Sequence, residues 1–324
     1  MKAILCRRHG PPESLSFEEV PDPVPGPGQV LIDVRAAGVN FPDTLIIQNQ
    51  YQIKPPLPFS PGGECAGIIA AIGPDVAHLA VGQRVAAAAP WGCYAQRVVV
   101  AATHVVPIPE SMSFDVAAAF TLVYATSYHA LKDRAALRPG ETLLVLGAAG
   151  GVGLAAVQIG KALGARVIAA VSSEEKVTVC RENGADEAIR YDAPDWRDRL
   201  KSLTGGRGVD VVYDPVGGPY SEPALRSLAW RGRFLVVGFA NGAIPSIPLN
   251  LPLLKGLSIV GAYWGEFSKR EPAHAADDLA DLLRLVREGQ LRPLISAHYP
   301  LEKAADALRA VGARKAIGKI VLEP

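Results

Sequence analysis

A run of small residues, Gly147-Ala148-Ala149-Gly150-Gly151-Val152-Gly153, is the part of the sequence best suited to bind a phosphate. An apolar run precedes it and a segment with helical spacing follows, so a buried strand should enter a helix through this turn. The first N–H groups of such a helix point outward at the positive end of its dipole, where a pyrophosphate commonly binds. Gly150 would let the backbone approach the phosphates, and Gly153 would let the helix pack on the strand. We therefore assign residues 149–153 to pyrophosphate binding, although Ala148 replaces the first glycine of the strict fingerprint.

The residues after the next strand indicate which dinucleotide binds. A carboxylate there would accept the 2′-hydroxyl of NAD. The strand instead runs into Ser172 and Ser173, with Lys176 one turn further along. Two hydroxyls and a cation suit a 2′-phosphate, whose oxygens accept hydrogen bonds and whose charge needs a partner. Glu174 and Glu175 oppose this assignment unless they point outward, and Lys176 could be a solvated helix residue. The pattern favours NADPH.

The composition excludes several other classes of protein. The 324 residues carry 33 basic and 32 acidic side chains, which does not indicate nucleic-acid binding. Four widely spaced cysteines argue against a disulfide framework or a thiolate zinc site and favour a reducing compartment. The six histidines have no metal-ligand spacing with one another, His129 is interpreted as structural, and no metal is predicted. With neither a signal peptide nor a long apolar span, the protein is expected to be cytoplasmic and without membrane segments.

The elements that would position these residues form two patterns. Residues 1 to about 110 contain short strands separated by Pro/Gly stretches, which predict a small twisted barrel. Beyond them, six strands with intervening helices predict a doubly wound parallel sheet. A terminal strand, 318–322, is expected to return to the N-terminal domain.

Two further groups of residues lie near the end of that sheet. Gly238, Phe239 and Asn241 follow the fifth strand, and ligands bind beyond the carboxyl ends of such strands. We therefore expect these three residues to line the adenosine–ribose side. Trp230 and Phe234 are predicted to lie in the core.

The sequence resembles the medium-chain dehydrogenase/reductase superfamily, in its zinc-free quinone oxidoreductase (zeta-crystallin-like) branch. The resemblance spans essentially the whole chain through AAGVNFPD (36–43), LPFSPGGECAGII (57–69), VGQRV (81–85), the glycine-turn segment (137–169), GGRGVDVVYDPVGG (205–218) and RKAIGKIVL (314–322). It implies a GroES-like β-barrel catalytic domain over 1–120, an NADPH-binding Rossmann domain over 121–264, and a segment, 265–324, that returns to the catalytic domain. Relatives in this branch are NADPH-dependent dimers or tetramers that reduce quinones, α,β-unsaturated ketones or enoyl thioesters.

The sequence departs from the zinc alcohol dehydrogenases of this superfamily at their metal ligands. Those enzymes carry a cysteine shortly before the aspartate of the first motif and a histidine just before the glutamate of the second. Here those places fall within Val39-Asn40-Phe41-Pro42 and at Gly63, and the four-cysteine zinc lobe is missing. Without thiolate or imidazole ligands, neither a catalytic zinc nor alcohol oxidation through a zinc alkoxide is expected.

The resemblance also implies contacts of single residues with the cofactor. Thr126 matches a threonine near the nicotinamide, although its hydroxyl could instead bond back to its own helical turn. Tyr191 and Arg314 match positions at the phosphate or adenosine end. Packing for Tyr191 and a surface charge for Arg314 are the alternatives.

At the reacting end, the predicted constellation is Asn40, Asp43 and Tyr51. The Asn40 amide can hold the nicotinamide ribose or the substrate oxygen, and Asp43 can orient its neighbours through hydrogen bonds. In enoyl reductases of the superfamily, a tyrosine at the position of Tyr51 is a proposed proton donor. An aromatic wall that shapes the pocket is the alternative for Tyr51. Apolar walls for a flat substrate could come from Phe41, Tyr263 and Trp264.

The sequence thus predicts a zinc-independent NADPH-dependent oxidoreductase that transfers hydride to a quinone or another conjugated carbonyl. An NADPH-dependent enoyl-CoA or 2-alkenone reductase is the alternative among enzymes. A non-catalytic NADPH-binding structural or RNA-associated protein is an alternative of another class, although the near-neutral charge speaks against it. The β-branched strand 257–261 is expected to pair across a twofold axis in a homodimer, an interface that could also include Tyr263 and Trp264.

Overall fold

The computed structural model describes residues 1–324, which divide into two compact units. The first unit comprises Met1–Leu122 and Pro293–Pro324, and the second comprises Val123–Arg292. The strands, in chain order, are β1 (Lys2–Leu5), β2 (Ser16–Glu19), β3 (Gln29–Val39), β4 (Glu64–Ile72), β5 (Arg84–Ala88), β6 (Arg97–Ala101), β7 (Val105–Pro107), β8 (Thr142–Leu146), β9 (Arg166–Val171), β10 (Glu187–Arg190), β11 (Val209–Asp214), β12 (Leu228–Val236), β13 (Ser258–Gly261), β14 (Ile295–Pro300) and β15 (Lys319–Glu323).

The helices are mostly short in the first unit and longer in the second. They are α1 (Phe41–Ile46), α2 (Phe114–Ala118), α3 (Thr121–Tyr128), α4 (Gly151–Ala162), α5 (Glu174–Glu182), α6 (Trp196–Leu203), α7 (Ser221–Arg226), α8 (Asn250–Lys255), α9 (Trp264–Arg270), α10 (Pro272–Arg287) and α11 (Ala304–Gly312). A π-helical turn, His129–Arg134, continues directly from α3. None of the helices combines the length and apolarity needed to cross a bilayer.

The first unit is built on a mixed sheet of seven strands that run in the order β14-β15-β3-β4-β5-β7, with β6 paired to β3. The eleven-residue β3 is mostly buried because β4, β6 and β15 all pair with it. Near its end, Gly38 lies opposite both Glu64 of β4 and Val321 of β15. A Cβ at Gly38 would lie 2.6 Å from Glu64 Oε1, so the glycine makes room for that carboxylate. The register therefore brings the ends of three strands together beside Asn40, the N-cap residue of α1.

The second unit contains the predicted parallel sheet of six strands. The strands run in the order β10-β9-β8-β11-β12-β13, and every neighbouring pair is parallel. β8 is buried along its whole length, as expected for a central strand covered on both faces. The strand order reverses direction between β8 and β11. This is the position at which ligands bind in open parallel sheets.

Two sequence expectations in the second unit need correction. Phe234 is buried as predicted, but Trp230 is 68% exposed. α7 ends at Arg226, and Trp230 lies in β12, between the residues that pair with β11 on either side of a register shift. The irregular backbone there, with a φ of 60° at Arg231, places the indole outside the core.

The second unit also extends further along the chain than residues 121–264. α9 and α10 belong to it, so the segment that returns to the first unit begins at Pro293 rather than at 265. α10 is held by Tyr128 and Lys132, which donate hydrogen bonds to Asp281 and Asp278, and Leu282 is fully buried. These anchors lie beside α3, which explains why the helix remains with this unit.

Candidate functional site

The glycine turn leaves the start of α4 open to a ligand. Gly150 is the N-cap residue, no side chain caps the helix, and the first helical bond runs from Leu154 N to Gly150 O at 2.7 Å. A Cβ at Gly153 would lie 2.2 Å from Gly147 O, whereas one at Gly150 would have its nearest contact at 3.5 Å. Gly153 is thus required for packing against the strand end, and Gly150 lies where the backbone is accessible. The uncapped N–H groups and the helix dipole suit an anionic group.

The parallel sheet gathers most of the predicted cofactor residues at one edge. Because all six strands run in the same direction, their carboxyl ends meet on the same side of the sheet. The predicted residues that directly follow strand ends are Ala149 to Gly153 after β8, Ser172 and Ser173 after β9, Tyr191 after β10, and Gly238 to Asn241 after β12. This edge therefore carries every predicted cofactor residue except Thr126, Lys176 and Arg314, and Lys176 lies in the first turn and a half of α5.

The end of β9 presents the hydroxyls and the cation expected for a 2′-phosphate site. Ser173 caps α5 by accepting a hydrogen bond from Lys176 N, and Lys176 Nζ lies 3.3 Å from Ser172 Oγ. Glu174 points outward, with 77% of its side chain exposed and its carboxylate 3.6 Å from Arg190. The donor set therefore fits a dianionic phosphate, and Glu174 does not oppose it.

The remaining predicted cofactor residues lie in varied surroundings. The Tyr191 ring packs at a centroid distance of 4.5 Å from Tyr220. Asn241 N donates to Val216 O at 2.8 Å, which joins the loop after β12 to the loop after β11. Thr126 is half-buried on α3. Arg314 belongs to the first unit, where its backbone adopts a left-handed φ of 57°.

A buried network in the first unit surrounds the predicted reacting-end residue Asn40. The Asn40 Nδ2 atom donates to Glu64 Oε1 at 2.9 Å, and its Oδ1 atom accepts from Lys319 Nζ. Lys319 also donates to Glu64 Oε1 at 2.8 Å and to Val39 O at 3.0 Å. Glu64 is fully buried, and Asn40 and Lys319 are 5% and 4% exposed. Both ends of the Asn40 amide are thus engaged, and the second lone pair of Oδ1 is the position at which a ribose or substrate hydroxyl could add a bond.

Asp43 links this network to a second buried residue. Its Oδ2 atom accepts hydrogen bonds of 2.8 Å from Asn40 N and from Tyr94 Oη. Burial raises the pKa of Asp43 to about 6, against the opposing effects of these two donors and of Lys319. Burial and the Asp43 carboxylate also raise the pKa of Tyr94 well above its usual value. Asp43 therefore orients the start of α1.

The other predicted reaction residues are more dispersed. Tyr51 lies beyond the end of α1, half-buried, and packs against the apolar core of the first unit. Phe41 is the first residue of α1 and is also half-buried. Tyr263 and Trp264 belong to the second unit, at the start of α9, where Tyr263 is 46% exposed. The structure thus brings Asn40 and Asp43 together, and Tyr51 follows them beyond the end of α1.

Three residues of the network were not among the predicted site residues. Glu64, Tyr94 and Lys319 are distant in the sequence and meet only through the pairing of β3 with β4 and β15 and the Tyr94 bond to Asp43. A signal was nevertheless present for Lys319 and Glu64, because each is a charged residue at the start of an apolar strand. Such residues are almost never buried unless they are paired.

Comparisons with known proteins agree with this architecture. The model of the alcohol dehydrogenase GroES-like domain matches residues 26–110, and that of the zinc-binding dehydrogenase domain matches residues 151–281. Quinone oxidoreductase-like protein 2 of Rattus norvegicus is 39% identical over 323 residues, which cover 99% of this chain and 91% of the relative. The chain belongs to the zinc-independent quinone oxidoreductase family of the medium-chain dehydrogenase/reductase superfamily. The resemblance seen in the sequence is thereby confirmed, together with the GroES-like and Rossmann-type fold.

Solved structures of the superfamily match the whole chain. Escherichia coli quinone oxidoreductase, complexed with NADPH, is 32% identical with a TM-score of 0.94, and the match covers 100% of both chains. CurK enoyl reductase is 27% identical with a TM-score of 0.90, and the match covers 99% of this chain and 98% of the other. This family member is therefore similar both to a quinone reductase and to an enoyl reductase.

The donor set of the first unit does not fit a catalytic zinc, despite the name of the second domain model. Gly63 offers no side-chain ligand, and Asn40, in the other segment, is bonded to Glu64 and Lys319. The positive charge beside Glu64 is the Lys319 ammonium. An ammonium fixed next to this carboxylate would repel a second cation, so the network is complete without a metal.

Proposed function

We propose that the protein is an NADPH-dependent oxidoreductase that transfers hydride to a quinone or another conjugated carbonyl. The observation that carries the proposal is the carboxyl edge of the parallel sheet. An uncapped glycine turn and the Ser172–Lys176 pair lie there together, in a chain similar over its full length to a quinone reductase complexed with NADPH. When bound, NADPH would supply the hydride.

The second unit would hold this cofactor by its charged groups. The N–H groups at the start of α4 would receive the pyrophosphate, and Ser172, Ser173 and Lys176 the 2′-phosphate. Gly238, Phe239 and Asn241 would line the adenosine–ribose side, and Thr126 would lie near the nicotinamide. Tyr191 and Arg314, the latter from the first unit, are proposed for the phosphate or adenosine end. The placement of the strand ends and the family resemblance support these assignments.

The first unit would supply the reacting end. Asn40 and Asp43 would act through the rigidity of their buried network, because Lys319 and Glu64 fix the amide and Tyr94 fixes the carboxylate. A quinone needs little acid assistance, since the charge delocalises onto an oxygen that water can protonate. Phe41, Tyr263 and Trp264 are proposed as apolar contacts for a flat acceptor.

Reduction of an activated alkene is the second candidate, and the likeness to an enoyl reductase favours it. An enone or enoyl thioester gains more from a positioned proton donor than a quinone does. Tyr51 is the proposed donor, and an aromatic wall is its alternative role. The two candidates therefore differ in how strongly turnover depends on the Tyr51 hydroxyl.

We further propose a cytoplasmic homodimer that pairs β13 with its mate. β13 is the edge strand of the six-stranded sheet, and an unpaired edge is a template for another strand. Large apolar side chains are exposed nearby in sequence, namely Leu249 (78%), Leu253 (79%), Leu254 (70%), Ile259 (41%) and Tyr263 (46%). Sedimentation equilibrium should show a dimer, and a monomer at micromolar concentration would contradict the pairing.

The four free cysteines are compatible with a reducing compartment.

An acceptor screen tests the function. NADPH oxidation is followed with a quinone, a 2-alkenone and crotonyl-CoA for the wild type, Tyr51→Phe and Tyr299→Phe. Tyr299 is the matched control because it is another half-buried tyrosine packed on the same core. Turnover of the quinone by all three proteins supports the main proposal. Loss of alkene turnover in Tyr51→Phe alone supports the second candidate, and binding of NADPH with no turnover of any acceptor contradicts both.

A further inference from the structure

A cluster of metal-ligand side chains lies in the second unit, outside the set of residues proposed for cofactor binding. His129 and Asp133 occupy the π-helical turn, and Asp278 reaches them from α10. One donor atom from each of the three lies within 4.8 Å of the other two. Single π-helical turns are rare and occur frequently at functional sites. The geometry is that of a three-ligand site built from one turn and one facing helix.

Asp278 provides a second observation that points to a ligand. The residue is 2% exposed, and its Oδ2 atom is buried without a hydrogen-bond partner. The other oxygen, Oδ1, accepts a bond of 2.8 Å from Lys132 Nζ. Leaving a buried carboxylate oxygen unpaired is costly, and native structures contain few such atoms. Burial raises the pKa of Asp278, and the carboxyl group of Asp133 lies close enough to raise it further through a side-chain hydrogen bond, so a shared proton or a bound cation must lie between the two groups.

The charges around the cluster also favour a cation. The carboxylates of Asp133, Asp278 and Asp281 are opposed by one nearby ammonium, Lys132, which bridges Asp278 and Asp281. Arg284 reaches the outer member of the group, at 3.7 Å from Asp281. Asp133, in contrast, faces the imidazoles of His129 and His274 rather than an ammonium. A bound cation would complete the compensation.

The imidazole of the cluster is held in place by packing. The His129 ring stacks on Phe267 with a centroid distance of 3.9 Å and an interplanar angle of 14°. Its Nδ1 atom lies 2.9 Å from Asp133 Oδ2. His274 contacts the other side of the group, with Nε2 3.6 Å from Asp133 Oδ1 and its ring against the edge of Phe267. One imidazole and two carboxylates are thus pre-positioned, and the imidazole of His274 contacts Asp133 from outside this group.

We propose that His129, Asp133 and Asp278 bind a divalent metal ion of the zinc type, with a water molecule as the fourth ligand. Mixed imidazole and carboxylate ligands suit Zn²⁺ or Co²⁺, whereas Mg²⁺ and Ca²⁺ prefer oxygen ligands alone. The ion joins α10 to the π-helical turn and so stabilises the second unit. It takes no part in hydride transfer. Lys132 keeps Asp281 as its partner when Asp278 binds the ion.

A metal titration with matched variants tests this site. Tag-free, full-length protein is dialysed against a chelator and then titrated with ZnCl₂ or MgCl₂, by calorimetry and by thermal denaturation. We expect one Zn²⁺ per chain and a higher melting temperature, with no comparable effect of Mg²⁺. Asp278→Asn keeps the side-chain volume and should weaken Zn²⁺ binding at least about tenfold. Asp277→Asn, at the exposed neighbouring position on α10, is the control and should bind as the wild type does.

A second readout separates coordination from simple charge effects. Co²⁺ bound in a tetrahedral site absorbs visible light strongly, and this absorption should be lost in Asp278→Asn and in His129→Gln, both checked for folding by circular dichroism. Equal Zn²⁺ affinity in Asp278→Asn and Asp277→Asn would overturn the proposal. A second outcome would also overturn it: metal-free Asp278→Asn melts at a higher temperature than the wild type, and Zn²⁺ leaves the melting temperature of the wild type unchanged. The cluster would then hold a proton instead of a metal ion.

Discussion

Replacing Lys319 by methionine tests how the first unit holds its reacting end. The substitution keeps most of the apolar stem and removes the ammonium that donates to Glu64, Asn40 and Val39. Glu64 is fully buried, so its carboxylate would remain in the interior with bonds from Asn40 Nδ2 and Leu122 N but without a countercharge. The variant therefore measures how much the buried Lys319 charge contributes to the free energy of unfolding.

The expected magnitude follows from the burial of both partners. Breaking a buried ion pair by removing one member costs about 3–5 kcal/mol, because the remaining charge has lost its compensation. The Glu64→Gln/Lys319→Met double variant removes both charges and should recover about 2 kcal/mol or more of that loss. Lys54→Met, at an exposed position of the same unit, should change the free energy of unfolding by less than about 0.5 kcal/mol.

Urea unfolding followed by far-UV circular dichroism measures these differences in the single and double variants. A Lys319→Met variant that loses less than about 1 kcal/mol would refute the reasoning, because such a loss is typical of an exposed pair. A double variant no more stable than Lys319→Met would refute it as well. The loss in free energy of unfolding would then come from lost packing rather than from the uncompensated carboxylate.

Three further predictions concern single residues. Burial raises the pKa of Asp43 to about 6, so the protonated carboxyl group is favoured in the folded state. The stability of the wild type relative to Asp43→Asn should therefore be greatest below about pH 4 and should fall by up to about 3 kcal/mol as the pH rises through 6. Urea unfolding at pH 4 and pH 7 checks this, and a pH-independent difference would contradict it. Gly153→Ala should destabilise the protein by about 1–3 kcal/mol, since its Cβ would lie 2.2 Å from Gly147 O. Gly150→Ala should destabilise it by less than about 1 kcal/mol, and thermal denaturation of both variants measures the difference. Equal costs would argue against the close packing of α4. Lys176→Ala should weaken NADPH binding about tenfold and leave NADH binding unchanged in calorimetric titrations, and an equal loss for both cofactors would remove Lys176 from the 2′-phosphate site.

The parallel sheet and its glycine turn could be predicted from the sequence because their signals are local. A buried apolar run, a turn of small residues and a helical pattern are adjacent in residues 142–162. The family resemblance indicates that this strand, turn and helix belong to a dinucleotide-binding domain. The β-bulge near Trp230 could not be predicted in the same way. The helical sequence pattern of α7 continues past Arg226 toward Trp230. Only the pairing of β12 with β11 shows that the residues after Arg226 belong to a strand. Tertiary pairing overrode local propensity there.

The candidate site was predictable only in part for a similar reason. Asn40 and Asp43 lie within one short motif, and the bond from Asn40 N to Asp43 is local. Lys319 and Tyr94 reach them through strand pairing and a long-range hydrogen bond, which no spacing in the sequence reveals. The same holds for the cluster of His129 and Asp278, since its members come from a turn and a distant helix. Local motifs thus predict the proposed cofactor edge, and long-range contacts determine how Asn40 and Asp43 are held.

The central claim is that the carboxyl edge of the second unit binds a dinucleotide that carries a 2′-phosphate. Isothermal titration of the wild-type protein with NADPH and with NADH at the same ionic strength tests it most directly. One NADPH should bind per chain, at least about tenfold more tightly than NADH, because the 2′-phosphate adds a charged contact to Lys176 and the two serine hydroxyls. Equal or tighter binding of NADH, or no binding of either cofactor, would contradict the account.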